Sequence, residues 1–110
     1  MQIISNDEGK TFEHGYVTDL PEPIEGCEGS IVANKHSGDI FYSGVTGSGG
    51  LFNIYRVNMS IWKSEDEGKT YKLWKVVDKG NASYSALCFS KDGKKLGILW
   101  ENSDKKRLIF

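Results

Sequence analysis

Short segments of alternating apolar and polar residues, separated by turn-forming residues, are the dominant pattern in this chain. Alternation with a period of two is typical of β-strands, and no stretch shows the 3.6-residue spacing of an amphipathic helix. The pattern predicts extended segments at residues 16–19, 29–33, 39–43, 53–63, 70–77, 83–90, 95–101 and 107–110. Turn signals lie between them at residues 37–38, 47–50, 92–93 and 102–105. The sequence therefore predicts an all-β meander of short strands.

Two of these segments differ in their pattern. Residues 56–63 alternate, so one face of the predicted strand carries Val57, Met59 and Ile61 and the other Arg56, Asn58, Ser60 and Trp62. Residues 96–100 are nearly all apolar, which is typical of a strand that is buried on both faces. The polar Glu101 is predicted to end that buried strand.

One octet occurs twice, as SNDEGKTF at residues 5–12 and as SEDEGKTY at residues 64–71, and the two starts are 64 − 5 = 59 residues apart. Both copies read Ser-x-Asp-x-Gly-x-Thr-aromatic. Ser and Asp side chains can bond the amides of a tight turn, and Gly9 and Gly68 can adopt a positive φ. The aromatic residue is expected to pack beneath the turn. We therefore predict that the octets shape hairpins and do no chemistry.

Repeated four-stranded units of about 40 to 60 residues are typical of β-propeller blades. A propeller needs at least four blades, whereas 110 residues make about two. The chain is thus expected either to assemble into a ring or to be a piece of a longer protein. Only four residues precede Ser5, which favours the second alternative and a truncated first blade.

The composition suits one small ordered domain, with 38% hydrophobic residues, 13 Gly and 2 Pro. The net charge is −1 and no basic stripe is present, so nucleic-acid binding is not predicted. No apolar run approaches the roughly 20 residues of a transmembrane segment, and the start lacks the pattern of a signal peptide. Asn58 and Asn81 begin formal glycosylation triplets, which matter only in the secretory route.

Cysteines and histidines give no metal-ligand spacing, and no metal or cofactor is predicted. Cys27 and Cys88 are predicted to be buried thiols. His14 and His36 stand alone in polar, Gly-flanked sequence and are predicted to lie on the surface.

Three stretches beside the octets carry a family resemblance. Arg56 leads a strand into the second octet, Tyr84 lies in Ala-Ser-Tyr-Ser-Ala-Leu, and Glu101 ends Leu-Gly-Ile-Leu-Trp-Glu. Together with the octets, which resemble Asp boxes, they are similar to the sialidase (neuraminidase) superfamily from Ser5 to about Phe110. The resemblance implies that residues 1–110 are a partial propeller domain with Asp boxes at 5–12 and 64–71. It would form about two blades of a six-bladed β-propeller, with the remaining blades upstream.

The resemblance also implies a function, that of a retaining exo-α-sialidase that removes terminal sialic acid from glycoproteins, oligosaccharides and gangliosides. Arg56 would hold the substrate carboxylate, because an arginine fork can grip it bidentately. Tyr84 would be the nucleophile that sialidases use. Glu101 would steady an arginine outside this chain. Glu28 stands where the family's Cys-Gln-Gly-Ser segment near the substrate pocket has an amide, and Trp100 stands where it has a tyrosine.

Other parts of the family's active site have no counterpart here. Its first two arginines, acid aspartate and base glutamate would precede Ser5, and Arg56 and Arg107 are the only arginines in the sequence. The isolated chain is therefore expected to hydrolyse negligibly, and to be marginally stable or to aggregate through open sheet edges. The alternative is a non-catalytic Asp-box module that binds glycan or protein. Relatives are lysosomal, cytoplasmic or membrane-associated, so no location is predicted.

Overall fold

A computed structural model describes residues 2–13, 15, 18–21, 26–46, 56–102 and 107–109 of the 110-residue chain. For residues 107–109 it describes the backbone only. The predicted turn at 47–50 lies outside the described residues, as do the first half of the predicted segment 16–19, the start of the segment 53–63 and His14.

The described residues form six antiparallel strands and no helix. Each strand pairs with the next one along the chain, so their order in the sheet is their order in the sequence. The strands are β1 (Ser30–Ala33), β2 (Ile40–Val45), β3 (Val57–Ser64), β4 (Lys72–Phe89), β5 (Leu96–Asn102) and β6 (Arg107–Ile109). The prediction of an all-β meander is confirmed for this part of the chain. It contains no helix of the length and apolarity that a membrane crossing requires.

Strand β4 is one continuous strand of 18 residues, so the prediction of two separate strands at 70–77 and 83–90 is wrong. Its first part pairs with β3 as far as Asn81, and its second part pairs with β5 from Ala82 onward. Where the partner changes, the Gly80 amide donates to Asp78 Oδ1 (2.8 Å) and the Ala82 amide donates to the Arg56 carbonyl (2.9 Å). One strand thus belongs to two successive meanders.

The sheet curls so that the second part of β4 also contacts the start of the sheet. The Leu87 amide donates to Ser30 Oγ (3.0 Å), and the hydroxyls of Ser43 and Ser85 are 2.8 Å apart. A core cluster lies inside this curl and consists of Val45, Met59, Ala82 and Trp100. Asn58 has a positive φ of 57° and interrupts the β3 register, a bulge that the alternation of residues 56–63 did not predict.

Strand β5 is less buried than its apolar sequence predicted. Only Trp100 in the run 96–100 is buried, and Gly97 is exposed. The outer face of β5 and β4 borders an open, largely apolar hollow of about 450 Å³. Within the described residues that face has no layer packed on it, which is why the two-sided burial expected of this segment is not reached.

Both octets form the same turn. In the second, Asp66 Oδ1 accepts from Ser64 Oγ (2.7 Å) and from the Thr70 amide (2.9 Å), and Asp66 Oδ2 accepts from Thr70 Oγ1 (2.5 Å). The first octet makes the same three bonds at 2.8, 2.8 and 2.6 Å. These bonds, the Thr hydroxyl first, lower the pKa of Asp7 and Asp66 to about 2. The structural role predicted for these aspartates is their role in the fold.

Backbone angles of the turns agree with the prediction for glycine, with φ of 86° at Gly9 and 83° at Gly68. The aromatic residue beneath the turn behaves differently in the two copies. Tyr71 is 6% exposed and donates from its hydroxyl to Gln2 Oε1 (3.2 Å), as a packed aromatic would. Phe12 is 59% exposed, so the prediction fails there, because nothing described approaches the first turn as Gln2 approaches the second.

Both cysteines are free thiols, and they differ in burial. Cys27 is half-buried, whereas Cys88 is exposed on the outer face of β4, so the prediction of a buried thiol is wrong for Cys88. His36 is exposed, as predicted. Among the described residues no group of His, Cys, Asp and Glu side chains is arranged to hold a metal ion.

Candidate functional site

The four residues singled out in the sequence lie at one end of the strands. Arg56 directly precedes β3, Glu28 lies two residues before β1, Tyr84 is in the second part of β4, and Glu101 is in β5. Pairing of Val57 with Asn81 and of Ala82 with Asn102 fixes three of these chain segments side by side. The curl of the sheet adds the segment before β1, because the start of β1 contacts β4.

Arg56 and Tyr84 are in direct contact. The guanidinium carbon lies 5.7 Å from the centroid of the Tyr84 ring, a cation–π distance. Arg56 Nη2 also donates to the Gly26 carbonyl (3.2 Å), which holds the guanidinium above the ring. That bond uses one of five N–H groups, so the planar fork still has donors for an anion.

The phenol of Tyr84 borders a shallow, open hollow of about 170 Å³, which it shares with Glu28 and Glu101. Tyr84 is 44% exposed, and both glutamates are exposed. The phenol can therefore be reached by a ligand from solvent. Arg56 and the two glutamates together carry a formal charge of −1. This charge disfavours the binding of an anionic ligand unless further cations lie beside the cluster.

Cys27 lies close enough to Arg56, Glu28 and Glu101 for their charges to affect its thiol. The sequence did not predict this position. Its Sγ donates to the Ser83 carbonyl (3.3 Å). Burial raises the pKa of the Cys27 thiol, Arg56 opposes this rise, and the charges of Glu101 and Glu28 add to it. The thiol is therefore kept protonated, which argues against a thiolate nucleophile at this place.

Asp78 is a second residue that sequence reasoning missed. It lies where β4 changes partner, and its Oδ2 accepts from Trp100 Nε1 (3.3 Å) and from Asn102 Nδ2 (2.8 Å). These two residues flank Glu101, so Asp78 fixes the end of β5 that carries the glutamate. In the sequence it is one acidic residue in a polar run, and no pattern distinguishes it.

No protein-family model matches the chain, and none of the curated proteins matches it. The relationship to sialidases thus stays a prediction from sequence motifs, and the roles of Arg56, Tyr84, Glu101 and Glu28 are proposals.

Proposed function

We propose that this chain is part of a retaining exo-α-sialidase and contributes its nucleophile and one carboxylate-binding arginine. The observation that carries the proposal is the contact between Arg56 and Tyr84, with the guanidinium 5.7 Å from the centre of the phenol ring. Glu28 and Glu101 border the same hollow as the phenol. All four residues that the family resemblance implies are thus gathered at one place.

The chemistry of sialic acid explains why an arginine and a phenol belong together. Its carboxylate is attached to the anomeric carbon, so the group that holds the carboxylate and the group that attacks the carbon must be neighbours. Arg56 would hold the carboxylate bidentately. A carboxylate nucleophile would be repelled by the substrate anion, and a tyrosine avoids that repulsion.

In the proposed reaction, Tyr84 Oη attacks the anomeric carbon as the glycosidic bond breaks. The leaving oxygen takes a proton from an acid, and water then cleaves the tyrosyl intermediate, returning the phenol. A phenol has an ordinary pKa near 10 and needs a base to attack at neutral pH. That base, the acid and two further arginines would come from blades upstream of this chain, and Glu101 would steady one of those arginines.

The finer fold in this proposal is a pair of adjacent propeller blades. The contact between Asn34 Nδ2 and the Gly93 carbonyl (3.0 Å) supports it, because it joins two turns that are closed by the same bond, from the Asn34 amide to the Asp39 carbonyl and from the Ser90 amide to the Lys95 carbonyl. Asn34 lies in the turn between β1 and β2, and Gly93 lies in the turn between β4 and β5. In this arrangement corresponding turns of two repeats would touch, and β4 would be the outer strand of one blade and the inner strand of the next.

The test is the sequence of the transcript upstream of Met1, followed by a fluorogenic sialoside assay of the encoded polypeptide. We expect two further arginines, an aspartate and a glutamate upstream, and turnover that falls at least a hundredfold in the Tyr84→Phe variant. Tyr42→Phe is the matched control, because it removes a phenol that does not border the hollow and should leave turnover unchanged. Turnover that survives Tyr84→Phe would contradict the proposal.

The second candidate function is glycan or protein binding without hydrolysis. It is favoured by the exposure of Tyr84 at an open hollow and by its contact with Arg56, since an exposed aromatic beside a guanidinium can bind a ligand without catalysing a reaction. If the chain has no upstream extension, still folds and binds a sialoside without turnover, this function replaces the first.

A further inference from the structure

A further cavity, larger than the hollow beside Tyr84, lies next to the turns that follow β1 and β4. It has a volume of about 330 Å³ and lies between the end of β1 and the end of β4, beside the turns that follow these strands. Its described lining includes Val32 and Phe89, whereas the candidate site is bordered by an earlier part of β4 and by the end of β5, and the two linings share no residue. The two cavities are therefore separate, and a ligand of the larger one does not depend on the proposed sialidase function.

The walls of this cavity are held in place by contact between the two turns. Asn34 Nδ2 donates to the Gly93 carbonyl (3.0 Å), and Asn34 Oδ1 accepts from the His36 amide (2.9 Å). Gly93 has a φ of 69°, and a Cβ there would meet the His36 ring, so glycine is favoured at this position. The side chains on the two turns thus face the cavity from a fixed framework.

The charged side chains that line the cavity are cationic. Lys35 and Lys91 border it beside His36, and none of its described lining residues is Asp or Glu. This is a local departure for a chain with 15 acidic and 14 basic residues. The neighbouring Asp92 is engaged within its own turn, because its Oδ1 accepts from Ser90 Oγ (2.6 Å) and from the Lys94 amide (3.1 Å).

The floor of the cavity is apolar and is formed by Val32, Leu87 and Phe89. We propose that this cavity binds a small amphipathic organic anion, whose acidic group contacts Lys35 and Lys91 and whose apolar body lies on this floor. A volume of about 330 Å³ is at the lower end of the range for small-molecule sites, so the body is short.

The test uses octanoate as the probe and the ¹⁵N-labelled full chain. Octanoate should shift amides of residues 32–36 and 87–93 in a saturable way, whereas 1-octanol, with the same apolar body and no charge, should bind at least fivefold more weakly. The double variant K35Q/K91Q should weaken octanoate binding about fivefold to tenfold, since each exposed ion pair contributes modestly. K75Q/K79Q is the matched control, because it removes the same charge from β4 outside the cavity lining.

Equal binding of octanoate and octanol would overturn the proposal, as would equal losses in the two double variants. The absence of a saturable shift at residues 32–36 and 87–93 would also overturn it. As an independent check, Ala33→Leu places a larger side chain in the lining and should weaken the binding of octanoate without changing the charge.

Discussion

Replacing Asp78 tests whether one carboxylate fixes the place where β4 passes from one meander to the next. The Asp78→Ala variant deprives Trp100 and Asn102, which are 7% and 4% exposed, of a hydrogen-bond acceptor. The loss of a hydrogen-bond acceptor by a buried donor costs about 1 to 3 kcal/mol. Losing the bond to Trp100 should cost an amount near the lower limit of this range, because that bond is long. Losing the bond to Asn102 should cost an amount near the middle of the range. The Gly80 amide also loses its acceptor but is only half-buried, so its share is small, and we expect a loss of about 3 kcal/mol.

Urea unfolding followed by tryptophan fluorescence measures this loss, with Asp19→Ala as a control that removes an exposed carboxylate outside the strands. The Asp78→Asn variant keeps one acceptor oxygen and should lose about 1 kcal/mol. The indole N–H resonance of Trp100 should shift in Asp78→Ala, whereas those of Trp62 and Trp74 should stay. A loss no larger than that of the control, with an unchanged Trp100 indole resonance, would refute the reasoning.

Three further predictions concern the turns and the thiols. Tyr71→Ala should cost about 3 to 5 kcal/mol of unfolding free energy because a buried aromatic is lost, while Phe12→Ala should cost less than about 1 kcal/mol; equal losses would contradict the burial difference. The box aspartates are held at a pKa of about 2, below the ordinary 3.8, so their stabilisation is complete above about pH 4 and disappears as the pH falls through 2. Acid unfolding of Asp66→Asn should accordingly depend less on pH in this window than that of the unaltered chain. Iodoacetamide should label the exposed Cys88 faster than Cys27, because burial raises the pKa of the Cys27 thiol. Mass spectrometry of the peptides measures both labelling rates, and faster labelling of Cys27 would contradict this prediction.

Local chemistry explains which parts of the fold the sequence could predict. The octets carry their own hydrogen-bond partners within four residues, so the turn and the positive φ at Gly9 and Gly68 follow from the motif alone. The continuity of β4 could not be predicted in this way. It depends on Asp78 and on the bond from Ala82 to Arg56, which join segments that are distant in the sequence.

Burial was the least predictable property, because it depends on what packs from elsewhere. Tyr71 and Phe12 occupy the same position in two nearly identical octets, yet only Tyr71 is covered, since Gln2 reaches it across 69 residues of sequence. For the candidate site, the residue types of Arg56 and Tyr84 were informative. Their contact required β3 to pair with β4 at Asn81 and Ala82, about 25 residues further along the chain, and no sequence pattern encodes that pairing.

Trapping the covalent intermediate tests most directly the proposal that Tyr84 is the nucleophile of a sialidase. A sialosyl fluoride with a second fluorine beside the anomeric carbon slows hydrolysis of the glycosyl intermediate, so the adduct accumulates on the attacking residue. After treatment of the longest polypeptide that the gene encodes, mass spectrometry of a digest should show one sialosyl adduct on the peptide with Tyr84. It should be lost in Tyr84→Phe and retained in Tyr42→Phe. An adduct on another residue, or turnover of sialosides with no adduct at Tyr84, would contradict the account.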